Sequence, residues 1–325
     1  MPDCEKKSKC HLMEECEYRK EVWNKTGKDL QPKKIIENLG QALKALKEIR
    51  QDDQNVTTFY RGHSNANYHL NPSIYRPLSK DDPTLYVKYE DRMFREILSR
   101  HPEEFKDCKT TVEKLAIMQH YELPTRLLDV TQNPLIALYF ACHTNPNKPG
   151  MIFSFKVNSQ MIKYVDSDTV SVLANLAKMD RNFDVSETYD LMNSEQGIKL
   201  LHEIGEEKPY FAPRIKPEHL NNYIVCVKPK HNNARIIAQQ GAFLLFGIQK
   251  KKSEGSYFWT KQGATDPKRA IQLDHYCIPS KKKKAILEEL DKMNINDSTV
   301  FPQIEKTAQY VRNNVYKLFG KHFIE

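Results

Sequence analysis

The chain has no apolar run approaching the roughly 18 residues that a membrane-spanning helix needs. Its opening stretch, Met1 to Arg19, is charged where a secretory signal would be apolar. These two absences predict a cytoplasmic protein with no membrane partner. A disulfide framework is also missing. The 7 cysteines (Cys4, Cys10, Cys16, Cys108, Cys142, Cys226 and Cys277) are odd in number and irregularly placed, which fits a reducing compartment. No Cys-x-x-Cys pair occurs, and no cluster of carboxylates suggests a hard-cation site, so no metal is expected. Cys4, Cys10 and Cys16, with His11 among them, are either a poor approximation to a zinc set or free thiols in an N-terminal tail. There is no internal repeat and no long low-complexity tract, which leaves 325 residues for one large domain or two small ones.

What the chain does have is charge, at 28% of residues, with a formal net charge of +8 and a pI near 8.9. That balance favours an anionic partner: a nucleotide, a nucleic acid or an acidic protein. Lys34 to Arg50 reads as a helix with Ile35, Leu39, Leu43 and Leu46 on one face. Thr57 to Arg61 reads as a short strand ending at Gly62, followed by a polar loop from His63 to Pro77. Thr84 to Arg100 is a second helix, with Leu85, Tyr89, Phe94, Ile97 and Leu98 as its stripe. The box Thr110-x-x-Glu113 opens a third helix, which Leu123-Pro124 ends, and Asn133-Pro134 opens a fourth.

Met151 to Val157, Tyr223 to Val227, Arg235 to Ala238, Ala242 to Ile248 and Ile271 to Ile278 read as strands. Residues 166–216 are polar and irregular, either an insertion or a lid. Ser280 caps a helix whose face is Ile286, Leu287, Leu290 and Met293, and a last helix runs from Glu305 to Phe319 with Gly320 as its stop. This irregular interleaving predicts an α+β fold, a mixed or antiparallel sheet core with N-terminal and C-terminal helices. The expected organisation is a tail (1–30), a core (31–280) and a C-terminal helical segment packed on the core (281–325).

Phe59-Tyr60-Arg61-Gly62 opens a set of stretches that together resemble the FRG-domain family, which takes its name from that motif. The run from Gln119-His120-Tyr121 through Leu123-Pro124-Thr125-Arg126-Leu127-Leu128-Asp129 to Thr131 resembles its central signature, and Asn133-Pro134-Leu135 with Ala137 to Ala141 continues it. Arg235-Ile236 with Gln239, Gly241 and Phe243, then Cys277-Ile278-Pro279, Lys283, Leu287, Leu290 and Phe301-Pro302, resemble later parts of the family. Glu122 and Val130 depart from it, standing where the family usually has Gly and Trp. The resemblance implies a bacterial defence or toxin-like setting, with an antitoxin or defence partner protein.

Arg61 follows an apolar strand and precedes a glycine that permits close backbone approach. Its guanidinium suits a phosphate or carboxylate, or else it forms an internal ion pair with Asp129. His63 and Ser64 lie just beyond and are candidate ligand contacts. His120 is either a general base or a cap on its own helix. Asp129 orients His120 or pairs with Arg61 or Arg126. Arg126, Asp129 and Thr131 are expected in a short turn after the helix. Lys250 to Lys252 and Lys281 to Lys284 form two basic tracts, either solvated or a path for nucleic acid, with Tyr257, Phe258 and Trp259 nearby.

Tyr60-Arg61-Gly62, Asp129-Val130-Thr131 and Arg235 through Gly241 to Phe243 fall in an order that partially resembles the parts of mono-ADP-ribosyltransferases. The resemblance implies a similar architecture and NAD as substrate, with Arg61 on the phosphates and Thr131 supporting the nicotinamide side. It also implies a carboxylate beside the reacting sugar. Gln239 and Gln240 are amides, so Glu122, Asp129 or Glu195 would have to supply it. The expected site is therefore His120, Tyr121, Asp129 and Gln239 for chemistry, with Arg61, Gly62, His63, Ser64, Arg126 and Thr131 for binding. The alternatives are a non-catalytic nucleotide or nucleic-acid sensor, or a metal-independent nuclease acting on RNA with His120 as base.

Overall fold

The computed structural model describes residues 32–49, 55–185, 191–230, 233–256, 271–315 and 318. Cys4, Cys10, His11, Cys16, Tyr257, Phe258, Trp259, Phe319 and Gly320 lie outside the described residues. The centre is one sheet built from β1 (Val56–His63), β2 (Leu127–Thr131), β3 (Gly150–Asn158), β4 (Ile162–Tyr164), β5 (Ile224–Lys228), β6 (Gly241–Phe246) and β7 (Gln272–Ile278). The order is β4-β5-β6-β2-β1-β3-β7, with only β4–β5 parallel. The fold is α+β with a mixed sheet. Apart from the single turn Pro102–Phe105, the helices in chain order are α1 (Leu39–Ile49), α2 (Glu90–Arg100), α3 (Thr111–His120), α4 (Pro134–His143), α5 (Asp168–Asn175), α6 (Glu195–Gly205), α7 (Ala234–Ala238), α8 (Lys283–Lys292), α9 (Asp297–Val300) and α10 (Ile304–Asn313). No helix among the described residues is long and apolar enough to cross a membrane.

The sheet separates two apolar cores, and the period of two along its strands assigns residues to them. Phe59 of β1 and Phe153, Phe155 and Val157 of β3 join α2, α3, α5 and α6 on one face. Tyr60, Ile152, Tyr276 and Ile278 join α1, α4 and α8 on the other. Helix α4 is buried nearly all round, as a helix without an amphipathic pattern should be. It starts where expected: the Asn133 side chain accepts from the Leu135 N–H at 2.9 Å, and Pro134 fills the first helical position. It also lies unusually close to the sheet. A Cβ on Gly62 would sit 1.9 Å from the Ala137 carbonyl oxygen, and one on Gly150 would sit 2.2 Å from that of Ala141.

Four sequence expectations need correction. Arg235 to Ala238 is not a strand but α7, because the Asn233 side chain caps the Arg235 and Ile236 N–H groups and Ile237 points to solvent. The expected turn after Arg126 is β2, paired along its length with β6. The described part of residues 166–216 is not a lid: Leu173, Ala174, Leu176, Ala177, Leu200 and Ile204 are fully buried in the first core. The N-terminal helix begins later than expected. Lys33 and Ile36 instead donate to the His275 and Cys277 carbonyls, laying an extended segment along the outer edge of β7.

The two lysine tracts are not uniformly solvated. Lys283 is buried, and its ammonium donates to the carbonyls of Ser64 (2.5 Å), Asn145 (3.0 Å) and Thr144 (3.2 Å). That cation lies just past the C-terminus of α4, where the helix dipole favours it. Lys252 is buried against Glu90 at 3.2 Å and against the Ala177 and Met179 carbonyls. Each tract therefore loses a member to the interior.

Glu90, only 3% exposed, also takes a bidentate grip from the fully buried Arg126, Nε to Oε1 at 2.9 Å and a terminal nitrogen to Oε2 at 2.5 Å. Burial pushes the Glu90 carboxyl up, but Arg126 and Lys252 outweigh it and hold the carboxyl below its ordinary value. Stability from this shift is complete above the ordinary carboxylate range and is lost as pH falls below about 4.5. Replacing Glu90 by Gln strands two buried cations and is expected to cost about 3–5 kcal/mol in urea unfolding at neutral pH. The acid-induced loss of stability should be shallower in that variant than in the wild type.

Candidate functional site

Adjacent strands β1 and β2 share a single register pair, Tyr60 with Thr131. Elsewhere β1 is zipped to β3 and β2 to β6. The sheet therefore opens between its two halves, and a cleft of about 400 Å³ occupies the opening. Tyr60, Arg61 and Gly62 line it from β1, and Asp129, Val130 and Thr131 from β2. Helix α3 contributes Ala116, Ile117 and His120, and the α7–β6 corner contributes Arg235, Gln239 and Gly241. Glu104, Asp107, Glu113 and Lys230 also line it, and Lys230 pairs with Glu113 at 2.7 Å. Glu113 is fixed by the box the sequence announced, accepting from the Thr110 N–H at 2.9 Å.

Arg61 bridges the gap. One terminal nitrogen donates to the Asp129 main-chain oxygen at 2.6 Å, and the Asp129 carboxylate lies 3.8 Å away. Its Nε donates to His63 Nε2 at 2.9 Å. That bond requires a neutral imidazole, and burial, helped by Arg61 and Arg76, pushes His63 well below its ordinary value. Burial likewise lowers the Arg61 guanidinium, and Asp129 opposes the shift. His63 thus stands behind the arginine and fixes its orientation. The Asp129 side chain remains 61% exposed.

The other expected residues divide. His120 ends α3, half-buried on the cleft wall. Burial first, and the Arg235 charge second, lower its pKa from the ordinary 6.5. Thr131 lines the cleft, but its hydroxyl donates to the Gln239 carbonyl at 2.6 Å. The Gln239 side chain donates to the Val300 carbonyl at 3.1 Å, so the amide braces α9. Ser64 is buried beside α4, accepting from Thr144 at 2.6 Å and Asn145 at 2.9 Å. Tyr121 is 59% exposed and donates to Glu104 at 3.2 Å. Arg126 is sealed in the interior with Glu90. The structure therefore brings Arg61, Gly62, His120, Asp129, Thr131 and Gln239 to one cleft, and leaves His63, Ser64, Tyr121 and Arg126 out of its lining.

Of the three carboxylates considered, only Asp129 reaches the cleft. Glu122 has φ of 64°, the left-handed conformation that glycine supplies after a helix, which accounts for the glycine usual there. Lys230, Glu104 and Asp107 carry no local signal in the sequence, and Glu113 only that of its capping box, since the Lys230–Glu113 pair depends on the return of the chain after β5. In the sequence Arg235 stands in both resemblances, near the place where the partial one implies a carboxylate, and on an expected strand rather than as a ligand contact.

Two measurements check this arrangement. His120 should titrate below 6.5 by NMR, and Arg235→Gln should raise its pKa by removing a nearby positive charge. Glu122→Gly should stabilise the fold by up to about 1 kcal/mol in chemical denaturation, because it relieves the left-handed backbone.

Comparison with curated proteins returned no match, nor did comparison with solved structures. The model of one family, described as the FRG domain, matches residues 56–149, which take in β1, α3, β2 and α4 and so both lips of the opening. The protein carries an FRG domain.

Proposed function

We propose that the cleft binds a nucleotide-type ligand through its phosphates and cleaves the nicotinamide–ribose bond of NAD, releasing ADP-ribose to water or to an acceptor. The observation that carries this reading is the pair Arg61 and Asp129 in the sheet opening. A fixed guanidinium lies beside a solvent-accessible carboxylate, 3.8 Å apart, inside a cleft of nucleotide dimensions. Arg61 would hold phosphate oxygens with the donors not engaged by His63 and Asp129. The Asp129 carboxylate would stabilise positive charge developing at the ribose anomeric carbon. The glycosidic bond breaks with its electron pair leaving on nicotinamide, which departs neutral. Water bonds to the anomeric carbon and gives up a proton. His120, whose lowered pKa keeps it neutral at pH 7, is the group in the cleft suited to accept it.

The Arg61–Asp129 contact also favours a second reading. A carboxylate already facing a cation is a weaker electrostatic catalyst, and the cleft would then sense a nucleotide without turning it over. One experiment separates the two. Purified protein is incubated with NAD, free nicotinamide is followed by chromatography, and ADP-ribose binding is measured by calorimetry. Cleavage is expected, with Asp129→Asn lowering kcat by about a hundredfold or more and Arg61→Ala chiefly weakening binding. Binding without nicotinamide release establishes the sensor, and neither binding nor release removes both readings.

A further inference from the structure

Three arginines of this region meet different fates. Arg126 has each of its three guanidinium nitrogens engaged, by Glu90 and the Phe246 carbonyl. Arg61 has spent its Nε and one terminal nitrogen on His63 and Asp129. Arg235 has spent none. It is half-buried in the cleft wall, its central carbon 5.5 Å from the centre of the Phe301 ring. Among the described residues no carboxylate lies within ion-pair distance of it, and its side chain donates no hydrogen bond. A partly desolvated cation without a counter-ion is costly, and stacking on an aromatic face offsets only part of that cost while fixing the plane of the fork. Phe301 is itself held in place: Val300 before it accepts from the Gln239 amide, and Phe301 packs edge-on against Phe140 at 5.8 Å.

Two guanidinium forks on different elements, one on α7 and one on β1, therefore face one cleft, and of the carboxylates that line it Asp129 alone lies within ion-pair distance of either fork. A lone carboxylate ligand would satisfy one fork. A diphosphate presents oxygens on two phosphorus atoms and matches both. We propose that Arg235 is the principal anion-binding residue of the cleft and that, together with Arg61, it seats the diphosphate of the ligand, with Phe301 as its positioning residue. This rests on the reading of the cleft as a nucleotide site, and assigns the phosphate grip within it to a residue on α7.

The test is calorimetric titration of the full chain with inorganic pyrophosphate, ADP-ribose and adenosine, for the wild type, Arg235→Gln, Arg235→Lys and Phe301→Leu. The wild type is expected to bind pyrophosphate and ADP-ribose more tightly than adenosine. Arg235→Gln should weaken both anions by about tenfold or more, the loss of charged hydrogen bonds. Arg235→Lys should recover only part of it, since an ammonium cannot grip two oxygens as a fork does. Phe301→Leu should weaken them less than Arg235→Gln does. A second readout is independent of these variants: saturating pyrophosphate should raise the NMR pKa of His120 by neutralising the charge that depresses it. If Arg235→Gln binds pyrophosphate as tightly as the wild type, or the His120 pKa does not move on saturation, the assignment of Arg235 is overturned and the nucleotide reading stands. If the wild type binds neither anion, both are overturned.

Discussion

The approach of α4 to the backbone of β1 at Gly62 governs the rest of the structure. Because a side chain there would collide with the Ala137 carbonyl, the strand and helix are held at a separation only glycine allows. Gly150 repeats the contact on β3. The half-sheet β1-β3-β7 is thereby mounted on α4, while β2 keeps its full pairing to β6 and meets β1 at one residue pair. The opening between the halves is thus a built feature, and Arg61, one residue before the glycine, is delivered into it.

Charge burial follows the same division. Away from the cleft, Glu90 is shared by Arg126 and Lys252 in the interior, which fastens α2 to the start of β2 and the turn after β6. On the other side Lys283 fastens α8 to the ends of β1 and α4 through carbonyls alone. These cations have donors directed at fixed acceptors. The cations in the cleft are left with capacity to spare, in rising order from Arg61 to Arg235. Unspent donors held in place by neighbours are what a binding site offers a ligand, because little reorganisation is needed on arrival.

Much of this was legible in the sequence where the cause is local. The capping box at Thr110, the Asn133-Pro134 start and the strand at Met151 to Val157 each depend on a few adjacent residues, and each stands where the chain places it. The Arg61–Asp129 contact was one of the alternatives the residue types allowed. What the sequence withheld is tertiary. Arg126 looks like a site residue until Glu90, many residues upstream, is brought against it. Lys252 and Lys283 look like members of surface tracts because the carbonyls that hold them come from other segments. Arg235 to Ala238 has the β-branched character of a strand, and a single Asn233 side chain redirects it into a helical turn.

The strand pairing also bears on how the matched segment, residues 56–149, exists in the protein. It contains β1 and β2 but neither of their outer neighbours: β3 starts at Gly150, and β6 lies far beyond. Excised, it would present both flanks of a two-stranded ribbon to solvent as unpaired backbone, the condition that drives strands to recruit foreign chains. The homology unit and the autonomous folding unit are therefore different lengths of polypeptide. The conserved name marks the lips of the opening, and the rest of the sheet is the frame that keeps them apart.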